Sequence, residues 1–281
     1  MLQSKIVLVD TTATIDATVM AAAAEALNVQ IARDVAPFWN VGATVSYGPD
    51  PNSIPQGMWP VLIVDTLPDN EGGYHQTRQN QPYALVLNTP GSDEWTIDAS
   101  HEIIEMLVDP YGNRLQNSTS IELKGRKIED GTGQFGYLVE ACDPCEADKY
   151  AYPISGIAVS DFITPHFYDP VATPGTRYSF TGAIKAPRQI LPGGYISWVN
   201  HETDQMQQLL YVDPNSPPKI VTLGAASAGS LRVYVDNVMH KSHDKTSVRV
   251  AGQRSNLALL KRCKEKRQNL ESISMARAKL Y

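Results

Sequence analysis

The chain has 281 residues, of which 42% are hydrophobic and 19% charged, a composition that suits a globular protein with a sizeable core. A formal net charge of −6 argues against general nucleic-acid binding by its body, and no apolar run approaches the ~20 residues that cross a bilayer. Three cysteines (Cys142, Cys145 and Cys263) make no disulfide framework, and the opening decapeptide is too short in apolar residues for a secretory signal, so a cytoplasmic protein is expected.

In chain order, "KIVLVD" (5–10) is a short β-branched run that reads as a buried strand. Residues 14–39 read as one long helix, from Ala-rich "ATVMAAAAEAL" through a stripe of Val29, Ile31, Ala32, Val35 and Phe38. "ATVSYG" (43–48), "WPVLIVD" (59–65) and "QPYALVLN" (81–88) are three further strands, with "LPDNEGG" as a loop and His75 beyond it as a loop histidine, near a cleft or, as is usual for one in a loop, solvated. Residues 96–108 form a second helix, ended by Asp109-Pro110 because the residue before proline is pushed out of the helical region. Strand, helix, three strands and helix make an α+β arrangement with two helices on one sheet.

Beyond residue 110 short strands take over. "SIELKGRKIEDGTGQFGYLVEAC" reads as a hairpin turning at "EDGTG"; its "GTGQFG" matches G-x-G-x-x-G but runs into a strand, leaving no helix N-terminus for a phosphate. "YAYPISGIAVSDFITPHFYDP" supplies two short strands, and "GGYISWVN", "QQLLYVD", "PKIVTL" and "SLRVYVD" make a β-rich region. From Gln253 onward eight Lys/Arg face two Asp/Glu, a tail of about +6 on a remainder of about −12, which reads as a basic, weakly amphipathic helix.

One stretch carries chemistry. In "ASHEIIEMLVDP" (99–110), His101 and Glu105 stand at i and i+4, one turn apart on one helix face, where both reach one cation. Glu102, one step round, is placed as general base toward a bound water. A third ligand must come from elsewhere; "EACDPCEAD" offers Glu140 and Asp143 first, and His166 is a further candidate. A carboxylate in place of a second imidazole cancels part of the ion's charge, so the centre is a weaker Lewis acid. Zinc is expected, with manganese, iron or calcium as alternatives. Cys142 and Cys145 read as buried thiols whose acidic neighbours raise their pKa, and His240 and His243 as a turn beside lysines.

The element order ending in an H-E-x-x-[HE] helix resembles the N-terminal half of zincin metalloproteases. "SHEIIEMLVDP", "EACDP", "VSDFITPHFYDP" and "PGGYISW" together are similar to zincin-like bacterial and phage proteins, and "SHEIIEM" to the helix motif of Exordium-type proteins. The resemblance implies a zincin-like fold over residues 1–185; the residue pattern beyond it gives a small β-rich region (186–250) and a C-terminal helix (251–281). It implies metal ligation by His101 and Glu105, Glu102 as base, a peptide or protein substrate, and "QPYALVLN" as the strand bordering the cleft. The missing second histidine and G-x-x-H continuation depart from the better-known zincins. The alternative is a structural component of a phage or similar homo-oligomeric assembly, located in a virion, joined to its partners by the basic helix.

Overall fold

Apolar alternation builds the first sheet of the computed structural model, which describes residues 3–67, 72–225, 229–242 and 257–278. β1 (Ser4–Asp10), β2 (Ala43–Tyr47), β3 (Trp59–Val64), β4 (Gly73–Arg78) and β5 (Gln81–Leu87) lie in the order β2-β1-β3-β5-β4. β1 is parallel to β2 and β3, β3 is parallel to β5, and β4 pairs antiparallel with β5. Between β1 and β2 the chain is continuously helical over residues 17–39: α1 (Ala17–Val29), a π segment (Gln30–Val35) and α2 (Ala36–Trp39). Asp16 caps α1 through the Thr18 N–H, and Asn40 ends α2 in the left-handed conformation. The second long helix, α3 (Trp95–Val108), follows β5.

Ile6, Leu8, Val61, Ile63, Ala84 and Val86 share one sheet face and pack with Met20, Ala23 and Leu27 of α1 and Ala99, Ile103 and Met106 of α3. The fold class is therefore α+β, with two helices on one sheet as expected. Two details differ. β4 occupies a stretch expected to be loop, and it takes the sheet edge, so β5 lies inside the sheet rather than bordering a cleft. A two-residue turn with Gln79 (φ 52°) and Asn80 (φ 62°) both left-handed joins β4 to β5, the geometry that suits the twist of a tight hairpin.

A second, antiparallel sheet backs α3. β6 (Leu115–Lys124), β7 (Lys127–Leu138), β10 (Gly194–Asn200), β11 (Gln205–Tyr211) and β12 (Lys219–Gly224) run in the order β12-β11-β10-β7-β6. The β6–β7 hairpin turns at Gly125 (φ 64°), not at "EDGTG", which stays extended within β7, with the Gly133 N–H donating to Ser120 Oγ. β10 pairs with β7 through Trp198 and Tyr137, so this sheet runs across residue 185. Its core joins Tyr137, Val139, Ile196, Trp198 and Leu209 to Ile104 and Val108 of α3. A small hairpin, β8 (Tyr152–Ile154) and β9 (Ile157–Val159), closes a third side: Thr96 Oγ1 donates to Ala158 O, and the Ser160 N–H to Ser100 Oγ.

The C-terminal part brings the main correction. "SLRVYVD" is not a strand: α4 (Leu231–Ser242) starts at Ser230, whose Oγ accepts from the Val233 N–H, and Arg232 pairs with Asp236 one turn on. The β-branched residues that suggested a strand instead put Val235 into a core with Leu138, Tyr195 and Leu210. α5 (Leu257–Ala278) is the expected tail helix. Leu259, Leu260 and Cys263 pack on Ile97 and Ala158, and Arg267 pairs with Asp93 at 3.0 Å, while Lys261, Arg262, Lys264 and Lys266 remain exposed. Among the described residues no helix is long and apolar enough to cross a membrane.

Candidate metal centre

Because α3 has a core on both sides, nearly its whole circumference is buried, and its polar residues are inside by position. His101, Glu102 and Glu105 are all buried. Glu105 is the hub. Its Oε1 accepts the Cys142 N–H at 3.1 Å, and its Oε2 lies 3.3 Å from His101 Nε2, 3.5 Å from His75 Nε2 and 3.1 Å from Arg232 Nη1.

The two candidate third ligands part company. The chain leaving β7 passes α3 and then forms a 3-10 turn, Asp143–Cys145, which sets Asp143 Oδ1 3.3 Å from His101 Nε2. Glu140 falls on the other side of Glu105, its Oε2 3.2 Å from His75 Nε2 and 2.7 Å from Arg232 Nη1. His166 is exposed, paired with Asp169 at 2.8 Å, and outside the cluster. Cys142 and Cys145 are free, buried thiols; burial and then nearby carboxylates push both well up. The side chain of His240, and His243 altogether, lie outside the described residues.

The donor atoms of His101, Glu105 and Asp143 lie within 4.8 Å of one another, as do those of His75, Glu102 and Glu105. These buried groups could hold a metal ion. His101 Nε2 stands 3.3 Å from two carboxylate oxygens and yet hydrogen-bonds to neither among the described residues; Asp143 Oδ1, Glu102 Oε2 and Glu140 Oε1 are likewise buried without a partner. Buried polar atoms ordinarily find partners, so His101 Nε2 and Asp143 Oδ1, both unpartnered and 3.3 Å apart, need a common explanation. Ligands held at about 2.0–2.1 Å from a tetrahedral ion are separated by about 3.3 Å along each edge, which is the His101 spacing. The residues present therefore fit a divalent cation.

Without an ion, protons must balance the charge. Burial alone would push both imidazoles down; Glu105 and Asp143 more than reverse this for His101, and Glu105 and Glu140 raise His75 to about 10. Burial pushes Glu102 up and Glu140 up to about 8, whereas Glu105, facing His101, His75 and Arg232, is held down despite its burial. Access is narrow. A cleft of about 10 Å³, lined by residues including His75, Tyr111, Gly112 and Arg232, leads toward the cluster, room for about one water.

Two members were not legible as site residues. His75 reads as a loop residue along the chain, although "TRQNQPY" carries a hairpin turn signal and alternation sets His75 inward with Gly73. Gly73 permits this approach: a Cβ there would meet Glu102 Oε1 at 2.9 Å and Leu85 O at 3.1 Å. Arg232 had only the Ser230 cap and the Arg232–Asp236 spacing to mark a helix, and nothing local to aim it at Glu105. No protein-family model, curated protein or solved structure matches this chain.

Proposed function

We propose that the protein is a metal-dependent hydrolase of peptidase type, with His101, Glu105 and Asp143 holding the cation and Glu102 serving as general base. The observation that carries this reading is the set of buried, unpartnered donor atoms around His101 and Asp143, on the helix whose H-E-x-x-E motif resembles that of zincin-like proteins. One nitrogen and two carboxylates suit zinc, with manganese or iron as the harder alternatives; calcium, which takes six to eight oxygens, suits this compact set least. When bound, the cation supplies Lewis acidity toward a substrate carbonyl and a more acidic water. The protein's own part is then specific. Glu102, buried and raised, accepts a proton; Cys142 N–H fixes one oxygen of Glu105; Arg232 offsets the surplus of carboxylates.

Metal analysis of the purified protein is the test, followed by a peptide-cleavage screen. Near-stoichiometric zinc, manganese or iron, lost in His101→Ala, is the expected result, with Glu102→Gln keeping the metal and lowering kcat/KM by about 10²–10⁴-fold. A metal-free protein, or cleavage unaffected in Glu102→Gln, would sink the reading. Acid provides a second check, because the metal must displace the raised proton of His101. A raised pKa means that proton stays bound to higher pH, so affinity should fall on acidification by about tenfold per pH unit for each proton displaced. Calorimetry in buffers of different ionisation enthalpy should register the protons released.

Closure of the site favours a second reading: a structural component of a phage or similar assembly, carrying this domain with little or no turnover. This cleft beside His75 and Arg232 has room for about one water, so among the described residues a peptide entering by it needs α4 to move. Its sign would be a stoichiometric place in a particle together with a Glu102→Gln variant that assembles normally.

A further inference from the structure

The cluster has a second half that the proposed centre does not use. Arg232, brought in by α4, points Nη1 at three donor atoms: His75 Nε2 at 3.3 Å, Glu105 Oε2 at 3.1 Å and Glu140 Oε2 at 2.7 Å. One imidazole and two carboxylates are the same donor types as His101, Glu105 and Asp143. Glu105 Oε2 belongs to both sets, facing His101 on one side and His75 on the other at 3.3 and 3.5 Å. A carboxylate shared between two imidazole-containing sets is the arrangement of a two-metal centre.

We propose that the cluster is built for two cations and that the Arg232 guanidinium takes the place of the second divalent ion. The inference rests on the metal reading above. It is supported by what the arginine leaves undone: Glu102 Oε2, Glu140 Oε1 and Arg232 Nη2 are all buried without a hydrogen-bond partner among the described residues. A planar guanidinium donates only along fixed directions, so it neutralises Glu105 and Glu140 without meeting every donor around it. A divalent ion is not confined to a plane, and His75, Glu102 and Glu105 already bring donor atoms within 4.8 Å of one another. Asp236, one turn along α4, holds the guanidinium from behind through Nε at 3.1 Å. Seated this way, α4 fills the second position with a cation that cannot dissociate from the chain, and the native protein should take one metal ion.

The experiment counts zinc on the full-length chain by mass spectrometry and calorimetry, in the wild type, Arg232→Met and Arg232→Met/His75→Ala. One equivalent in the wild type, two in Arg232→Met and one again in the double variant is the expected series. If Arg232→Met does not fold in the absence of metal, zinc should restore its circular dichroism and thermal transition, because the ion replaces the missing charge. One equivalent in both wild type and Arg232→Met, two in the wild type, or an unfolded Arg232→Met that zinc does not restore would overturn the second-cation position alone. A wild type that takes no zinc, manganese or iron would overturn the metal reading itself, so the two failures are told apart by the wild-type measurement.

Discussion

Glu105→Ala should abolish metal binding and destabilise the protein by roughly 3–5 kcal/mol, the range for removing one partner from a buried ion pair. Glu105 is 0% exposed and shared by four groups: the Cys142 N–H, His101, His75 and Arg232. Its loss leaves a guanidinium and two imidazoles buried with fewer carboxylates to balance them. Glu105→Gln separates the two effects, since the amide keeps an oxygen for the Cys142 N–H and the same shape but not the charge. It should lose the metal while costing less stability than alanine. Urea denaturation alongside metal analysis reads both quantities. A Glu105→Ala protein as stable as the wild type, or one that retained a full equivalent of metal, would remove Glu105 from the centre of the site.

Gly194→Ala is expected to have the second-largest effect, although residue 194 offers no ligand. β10 starts there, directly beneath the turn that carries Asp143, and a Cβ would stand 2.6 Å from Asp143 O and 2.7 Å from Pro144 O. Both atoms are backbone, so no side-chain rotation relieves the contact. The turn is also tied to this region by the Leu191 N–H donating to Pro144 O at 2.9 Å. The alanine must therefore displace the strand or the turn, a cost of roughly 1–3 kcal/mol for overpacking. If the turn moves, Asp143 leaves its 3.3 Å separation from His101, and metal affinity should fall about 10–100-fold, the scale at which residues that orient ligands act. Thermal unfolding and a zinc titration would measure both. Gly133→Ala is the control: its Cβ would meet nothing closer than Glu202 Oε1 at 3.5 Å, so it should be nearly neutral. Equal behaviour of the two variants would show that the close approach at Gly194 has no bearing on the site.

These expectations show which parts of the site were legible along the chain. His101 and Glu105 are readable because a helix places i and i+4 on one face whatever surrounds it. Glu102 follows from the same geometry. Glu140 and Asp143 could be named as a pair but not separated, since a three-residue difference across a strand end and a 3-10 turn decides which reaches His101. "EDGTG" reads as a turn because two glycines and an aspartate are equally good in a hairpin turn or in a bulged strand. Pairing with β6, which shifts register between Thr119 and Ile121, made it the latter.

Periodic, local features were thus determined by the sequence alone: the α+β class, the long helix after β1, the H-E-x-x-E helix and its end at Asp109-Pro110, and the basic C-terminal helix. Each depends on hydrophobic spacing, propensity or a proline, which act over a few residues. Tertiary structure decided the rest. "SLRVYVD" has the β-branched residues of a strand, yet its Val235 side found a core beside β7 and β10 that only a helix could fill while also carrying Arg232 inward. His75 became a site residue because β4 docks on β5 at the sheet edge, next to α3. His75 and Arg232 are 157 residues apart and meet at 3.3 Å. No local rule joins them, because the energy that places them comes from sheets and helices packing against one another, not from the residues beside them in the chain.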